Sequence, residues 1–162
     1  MQISVTHREE VKSHVAETAC QLLERKLAIP TKSITILSIG CGDGTFDIKI
    51  LQTITDRFPD CKICYVGVDV DRKFCQQARE LLNALKNVEV ETVVLDFQQM
   101  DFSKIEIPPC DLVLAVHVLY YMRDIKKVLS DMQRLKKPDG KVYIIINSNS
   151  RAIEDNEVVC KF

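Results

Sequence analysis

Glycine is scarce in this chain, with five among 162 residues. That excludes a collagen-like or low-complexity composition. An excess of one charge sign is also missing. Twenty-two Lys and Arg face 23 Asp and Glu, for a net charge of −1. No chain-wide field therefore favours a polyanion, and nucleic acid is not an expected partner. Long apolar runs are absent too. The longest, Leu112 to Val116, is strand-sized, so no membrane span is expected. The first ten residues contain no apolar signal-peptide core, which points to the cytoplasm.

The seven cysteines (Cys20, Cys41, Cys61, Cys64, Cys75, Cys110 and Cys160) are odd in number and scattered. Cys61 and Cys64 form a C-x-x-C at the entry of an expected strand. No second Cys or His pair stands at zinc spacing. They read as small apolar core residues and free thiols, and no metal site is expected.

What the chain does have is an ordinary globular balance, 46% apolar and 28% charged. A domain of this length buries about 70% of its unfolded surface without a staple. One domain over 1–162 is expected: an N-terminal helix region (1–30), a core (31–147) and a tail (148–162). Val5 to Leu27 has helical periodicity, with Thr6 and Glu9 placed as a capping box. Further helices are expected over Phe46–Arg57, Asp71 to Asn83 or Leu85, and Asp124–Leu135. In the first of these, Ile48, Leu51 and Ile54 share a face. Strands are expected over Ile34–Ile39, Lys62–Val70, Val88–Leu95, Asp111–His117 and Lys141–Ile146. Pro138-Asp139-Gly140 signals a turn. The polar tail after Ile146 is ambiguous, and a helix is one reading of it. The alternation implies an α/β fold: a Rossmann-like, doubly wound, mostly parallel sheet of about five strands. Its ligands belong at the strand C-terminal ends.

Three of the five glycines fall at alternate positions in Ile39-Gly40-Cys41-Gly42-Asp43-Gly44, between a strand and a helix. Glycine admits positive φ and close approach to a ligand, and the following helix offers free N–H groups. A nucleotide-like guest suits such a loop. A dinucleotide fingerprint would place its third glycine at Thr45, and no P-loop lysine follows.

The spacing instead resembles the S-adenosylmethionine loop of class I methyltransferases. The resemblance extends over most of the chain. It implies S-adenosylmethionine as cofactor, held by Gly40, Gly42 and Gly44. Asp69 would take the ribose hydroxyls, Asp96 and Phe97 the adenine, Val116 and His117 would sit beside the methionine portion, and the Ser38 hydroxyl would bond the loop backbone or the cofactor's amino group. The family often has an acid where this chain has Ser38, which leaves less negative charge near the cofactor's ammonium.

Ile36-Leu37-Ser38-Ile39-Gly40 and Leu119-Tyr120-Tyr121-Met122-Arg123-Asp124 also resemble the histamine N-methyltransferase family. That likeness implies transfer to a small molecule, an amine nitrogen. Tyr120, Tyr121 and His117 would be catalytic, and Glu9, His117 and Tyr121 would contact substrate. His117 stands where that family has Gln. Its titration range suits removing a proton from the amine. The tyrosines could surround a cation. The competing readings are strand-end packing for these residues, and a catalytically silent domain that binds cofactor or partner. The family's sheet ends in an antiparallel hairpin. Sixteen residues after Ile146 are too few for a helix and two strands, so the hairpin is expected to be missing. The sheet edge left open would favour self-association.

Overall fold

The computed structural model describes residues 3–28, 33–96, 101–102, 105–147 and 157–161. The chain runs α1 (Ile3–Leu27), β1 (Ser33–Ile39), α2 (Asp47–Arg57), β2 (Lys62–Asp69), α3 (Arg72–Leu82), β3 (Val88–Val94), β4 (Cys110–Val116), α4 (Ile125–Leu135), β5 (Lys136–Asn147) and β6 (Glu157–Lys161). One sheet orders them β3-β2-β1-β4-β5-β6. The first five strands are parallel, and β6 is antiparallel to β5. The order reverses direction at β1, between β2 and β4. That is the switch point where ligands of such sheets bind.

Apolar cores lie on both faces. Ile34, Ile36, Ile63, Tyr65, Leu112 and Leu114 face α1 and α2. Leu37, Ile39, Val66, Val68, Val113 and Ala115 face α4. Both faces of the central strands are covered, which is why these strands read as unbroken apolar runs. Asp71 caps α3, accepting from the Lys73 N–H at 2.7 Å, and Asp124 caps α4, accepting from the Lys127 N–H at 3.0 Å. At the N-terminal edge, Asp111 accepts from Lys26 Nζ at 2.6 Å, Lys137 Nζ at 2.7 Å and the Thr35 N–H at 2.8 Å. This cluster ties the end of α1 to β1, β4 and β5.

Four expectations change. Within the tail, Glu157–Lys161 forms strand β6 rather than part of a helix. One antiparallel edge strand is therefore present where the whole hairpin was expected to be missing, and it pairs Glu157–Lys161 with Tyr143–Asn147. Thr6 lies inside α1, which starts at Ile3, so it does not cap that helix. Pro138-Asp139-Gly140 falls within β5 as an irregularity: Lys136 to Lys141 oppose Cys110 to Leu112. A Cβ at Gly140 would meet the Cys110 carbonyl oxygen at 2.6 Å, so the strand passes its neighbour there only with glycine. On α2, the buried stripe is Asp47, Ile50, Leu51 and Ile54, with Ile48 only half-buried.

Candidate active site at the glycine loop

The loop between β1 and α2 hangs on β2. Gly40 and Cys41 N–H groups both donate to the Val68 carbonyl, at 2.7 and 3.1 Å. All three loop glycines have positive φ: 74° at Gly40, 55° at Gly42 and 81° at Gly44. L-residues pay for that conformation, which accounts for the spacing. Their surroundings differ. A Cβ on Gly40 would run into the Val118 side chain, and one on Gly44 would meet the Ala78 Cα at 2.9 Å. A Cβ on Gly42 would have nothing within 4 Å. Gly40 and Gly44 thus serve close packing, against the segment after β4 and against α3. Gly42 borders open space.

Asp69 ends β2 and is 7% exposed. Its Oδ2 accepts from the Gly42 N–H at 2.9 Å, and its Oδ1 from the Asp71 N–H at 3.0 Å. The carboxylate therefore holds the open glycine and the start of α3 together. Each oxygen keeps lone pairs for another donor. The Leu95 N–H donates to the Asp69 carbonyl, which brings the end of β3 alongside. Asp96 follows there and is exposed. Phe97 lies outside the described residues. Val70, Phe74 and Val94 present exposed apolar surface at the same edge.

Across the switch point, β4 ends at Val116, which is half-buried. His117 follows with φ of 51°, its N–H donating to the Ile145 carbonyl at 2.8 Å. Such conformations in non-glycine residues concentrate at functional sites. A single 3-10 turn, Leu119–Tyr121, comes next. Tyr120 and Tyr121 are 53% and 62% exposed, with ring centroids 4.6 Å apart. Glu9 is exposed on α1, ion-paired with Lys12 at 2.9 Å. The fold thus gathers the glycine loop, Asp69, Asp96, Val116, His117 and the tyrosines at strand C-terminal ends.

Beneath the loop lies a polar group that the sequence reading did not single out. Asp47, in the first turn of α2, is buried. Tyr65 Oη donates to its Oδ2 at 2.5 Å. The buried Ser38 hydroxyl also hydrogen-bonds it. Burial raises the Asp47 carboxyl, and the two hydroxyls offset part of that, leaving it at about 6. Gly67 makes room for this group, because a Cβ there would stand 3.0 Å from both the Tyr65 hydroxyl and Cys41 Sγ. The signal was visible in the sequence: Asp47 falls on the same helical stripe as Ile50, Leu51 and Ile54.

The six cysteines whose side chains are described are free thiols, and burial pushes the Cys41 thiol well up. Among the described residues, no group of three His, Cys, Asp or Glu side chains could hold a metal ion. No helix among them is long and apolar enough to cross a membrane.

Comparison with known proteins adds a family. Residues 37–142 match the model of a methyltransferase domain. Histamine N-methyltransferase of Bos taurus is 28% identical over 123 residues, covering 72% of this chain and 42% of that protein. The chain thus spans less than half the length of that relative. Among solved structures, the DszA carbon methyltransferase superposes with a TM-score of 0.71 at 17% identity, over 88% of this chain and 36% of that one. A coclaurine N-methyltransferase bound to N-methylheliamine and SAH gives 0.57 at 15% identity, over 83% and 35%. These two likenesses concern the fold. The loop spacing, the acid at the end of β2 and a family match spanning both agree: this chain belongs to the methyltransferase domain family, of the class I S-adenosylmethionine-dependent type, and resembles histamine N-methyltransferase.

Proposed function

We propose that this chain binds S-adenosylmethionine at the Gly40–Gly44 loop and directs its methyl group to a small molecule, an amine nitrogen. The observation that carries the reading is the Asp69–Gly42 pair: a buried carboxylate tied to the one loop glycine that borders open space. The residues present fit the cofactor. Gly42 leaves the room, and the Asp69 oxygens have lone pairs left for ribose hydroxyls. Asp96 and Phe97 are assigned to the adenine, and Ser38 and Val116 to the methionine portion. When bound, S-adenosylmethionine supplies an electrophilic methyl group on sulfur, and the protein contributes position.

On the acceptor side, His117 is assigned to take the proton from a protonated amine, exposing its lone pair. Tyr120 and Tyr121 offer aromatic faces to a cationic acceptor. Glu9 is assigned to the acceptor's charge. We assign the chain a single domain, and we place it in the cytoplasm, a reducing compartment that suits the six described free thiols. Isothermal calorimetry with S-adenosylmethionine tests the first half. Incubation with methyl-labelled cofactor and a panel of biogenic amines tests the second. Failure to bind the cofactor refutes the whole reading. His117→Gln should keep cofactor affinity while changing rate or acceptor preference, and lost affinity would refute that assignment.

One observation favours a second reading, a domain that binds cofactor without turnover. Tyr120 and Tyr121 stand more than half exposed, so the acceptor side is open to water, whereas methyl transfer profits from its exclusion. Cofactor binding with no methylated product from any amine would select this reading.

A further inference from the structure

Asp47 is a buried acid with an unusual set of neighbours. Its hydrogen-bond donors are hydroxyls, Tyr65 Oη and Ser38 Oγ, and among the described residues no ion pair joins it to a lysine or arginine. A buried carboxylate without a cation is costly to ionise. The titratable groups that act on it are acids or weak acids. Asp43 lies on the loop and disfavours its charge, Cys41 is on the same loop, and Tyr65 is on β2. His117 lies across the switch point. This is a site prepared for a positive charge that none of the described lysines or arginines supplies.

The place of that charge follows from the strand. Ser38 is on β1, two residues before Gly40, with its hydroxyl on Asp47. A hydroxyl that donates to a carboxylate keeps its own lone pairs and becomes a better acceptor. The cofactor assigned to the loop carries two positive groups, a sulfonium and an ammonium, against one carboxylate, and is a net cation. We propose that Asp47 is a positioning residue that supplies, through the Ser38 hydroxyl, the negative charge against which the cationic cofactor is held. This rests on the function proposed above and deepens it. The charge that Ser38 lacks is returned from the first turn of α2, on the core side of the loop.

Binding a cation must then favour ionised Asp47. Affinity for S-adenosylmethionine falls as the pH drops through 6, where the free protein's Asp47 takes up its proton. The limit is about tenfold per pH unit for one linked proton. The test measures dissociation constants on both sides of pH 6 for two ligands, S-adenosylmethionine and the neutral 5′-methylthioadenosine. Wild type should show the fall for the first and little for the second. Asp47→Asn should bind S-adenosylmethionine about tenfold more weakly at neutral pH and with no fall in acid. His117→Gln should retain the fall. Should Asp47→Asn not fold, Ser38→Ala provides the second variant, and it should flatten the fall.

A fall that persists in Asp47→Asn, an equal fall for the neutral ligand, or pH-independent binding of both to wild type would overturn the inference while leaving the cofactor site in place. Binding of neither ligand at any pH would refute the proposed function and this inference with it.

Discussion

Replacing Asp111 by Asn probes the cluster at the sheet edge opposite the candidate site. The carboxylate is 4% exposed and takes charged hydrogen bonds from Lys26 and Lys137, and a third from the Thr35 N–H. Breaking a buried pair by removing one partner costs about 3–5 kcal/mol, because the other charge stays behind. Here the lower end applies. Lys26 keeps Asp139 at 2.9 Å, Lys137 is 35% exposed and can turn to water, and Asn can still accept from Thr35. The expected loss is therefore about 3 kcal/mol. With a urea slope of about 2 kcal/mol/M, the unfolding midpoint moves down by about 1.5 M.

The pH dependence gives an internal check. Burial pushes the Asp111 carboxyl up, but the bonds from Lys137 and Lys26 outweigh this and hold it below its ordinary value. A depressed carboxyl contributes stability above its unfolded value of 3.8 and loses it as the pH falls below that. The wild-type and Asp111→Asn curves should converge in acid, while cofactor affinity stays the same. A midpoint shift under about 0.5 M, or a gap that persists in acid, would refute the reasoning.

Three further outcomes are expected. Asp69→Ala should weaken S-adenosylmethionine by about tenfold or more, since a hydrogen bond to a charged group contributes about 1.5–3 kcal/mol; an unchanged dissociation constant in calorimetry would remove Asp69 from the site. Gly40→Ala should destabilise more than Gly42→Ala in denaturant unfolding. Both incur about 1–2 kcal/mol of left-handed strain, but only Gly40 adds a collision with Val118; equal losses would contradict the packing. Asp47 has a raised carboxyl, about 6 against 3.8, so its ionisation costs stability as the pH rises from 4 to above 6. Between those limits Asp47→Asn should gain about 3 kcal/mol relative to wild type in unfolding titrations of the free protein, and a constant difference would disprove that burial cost.

The parallel core was legible because β1, β2 and β4 contain apolar runs and β3 alternates apolar with polar residues, each bounded by turn residues. Helices α2 to α4 lay within a residue or two of their expected starts, and Asp71 and Asp124 cap as their positions imply. The glycine loop, Asp69 and the end of β4 were legible for the same reason: a strand end followed by a helix start is a local signal. Strand β6 was not, since its five residues gain their partner only from the open flank of β5, a non-local choice. The Pro138–Gly140 irregularity likewise depends on Cys110 in the neighbouring strand. Asp47 was missed because an acid in a first helical turn has an ordinary explanation in the helix dipole. Its burial depends on Tyr65, 18 residues away on another strand.

The contact between Gly40 and Val118 has a consequence for how this scaffold can change. It joins the loop assigned to the cofactor with the segment assigned to the acceptor at a point that tolerates no added atom. Any redesign of acceptor choice that enlarges or shifts Val118 would be transmitted to the loop. Tyr120 and Tyr121, two and three positions further on and largely exposed, carry no such constraint. Val118 therefore marks a boundary between a half of the proposed site where added atoms are penalised and a half with room to vary. Libraries that vary Tyr120 and Tyr121 while fixing Val118 are the economical route to new acceptors.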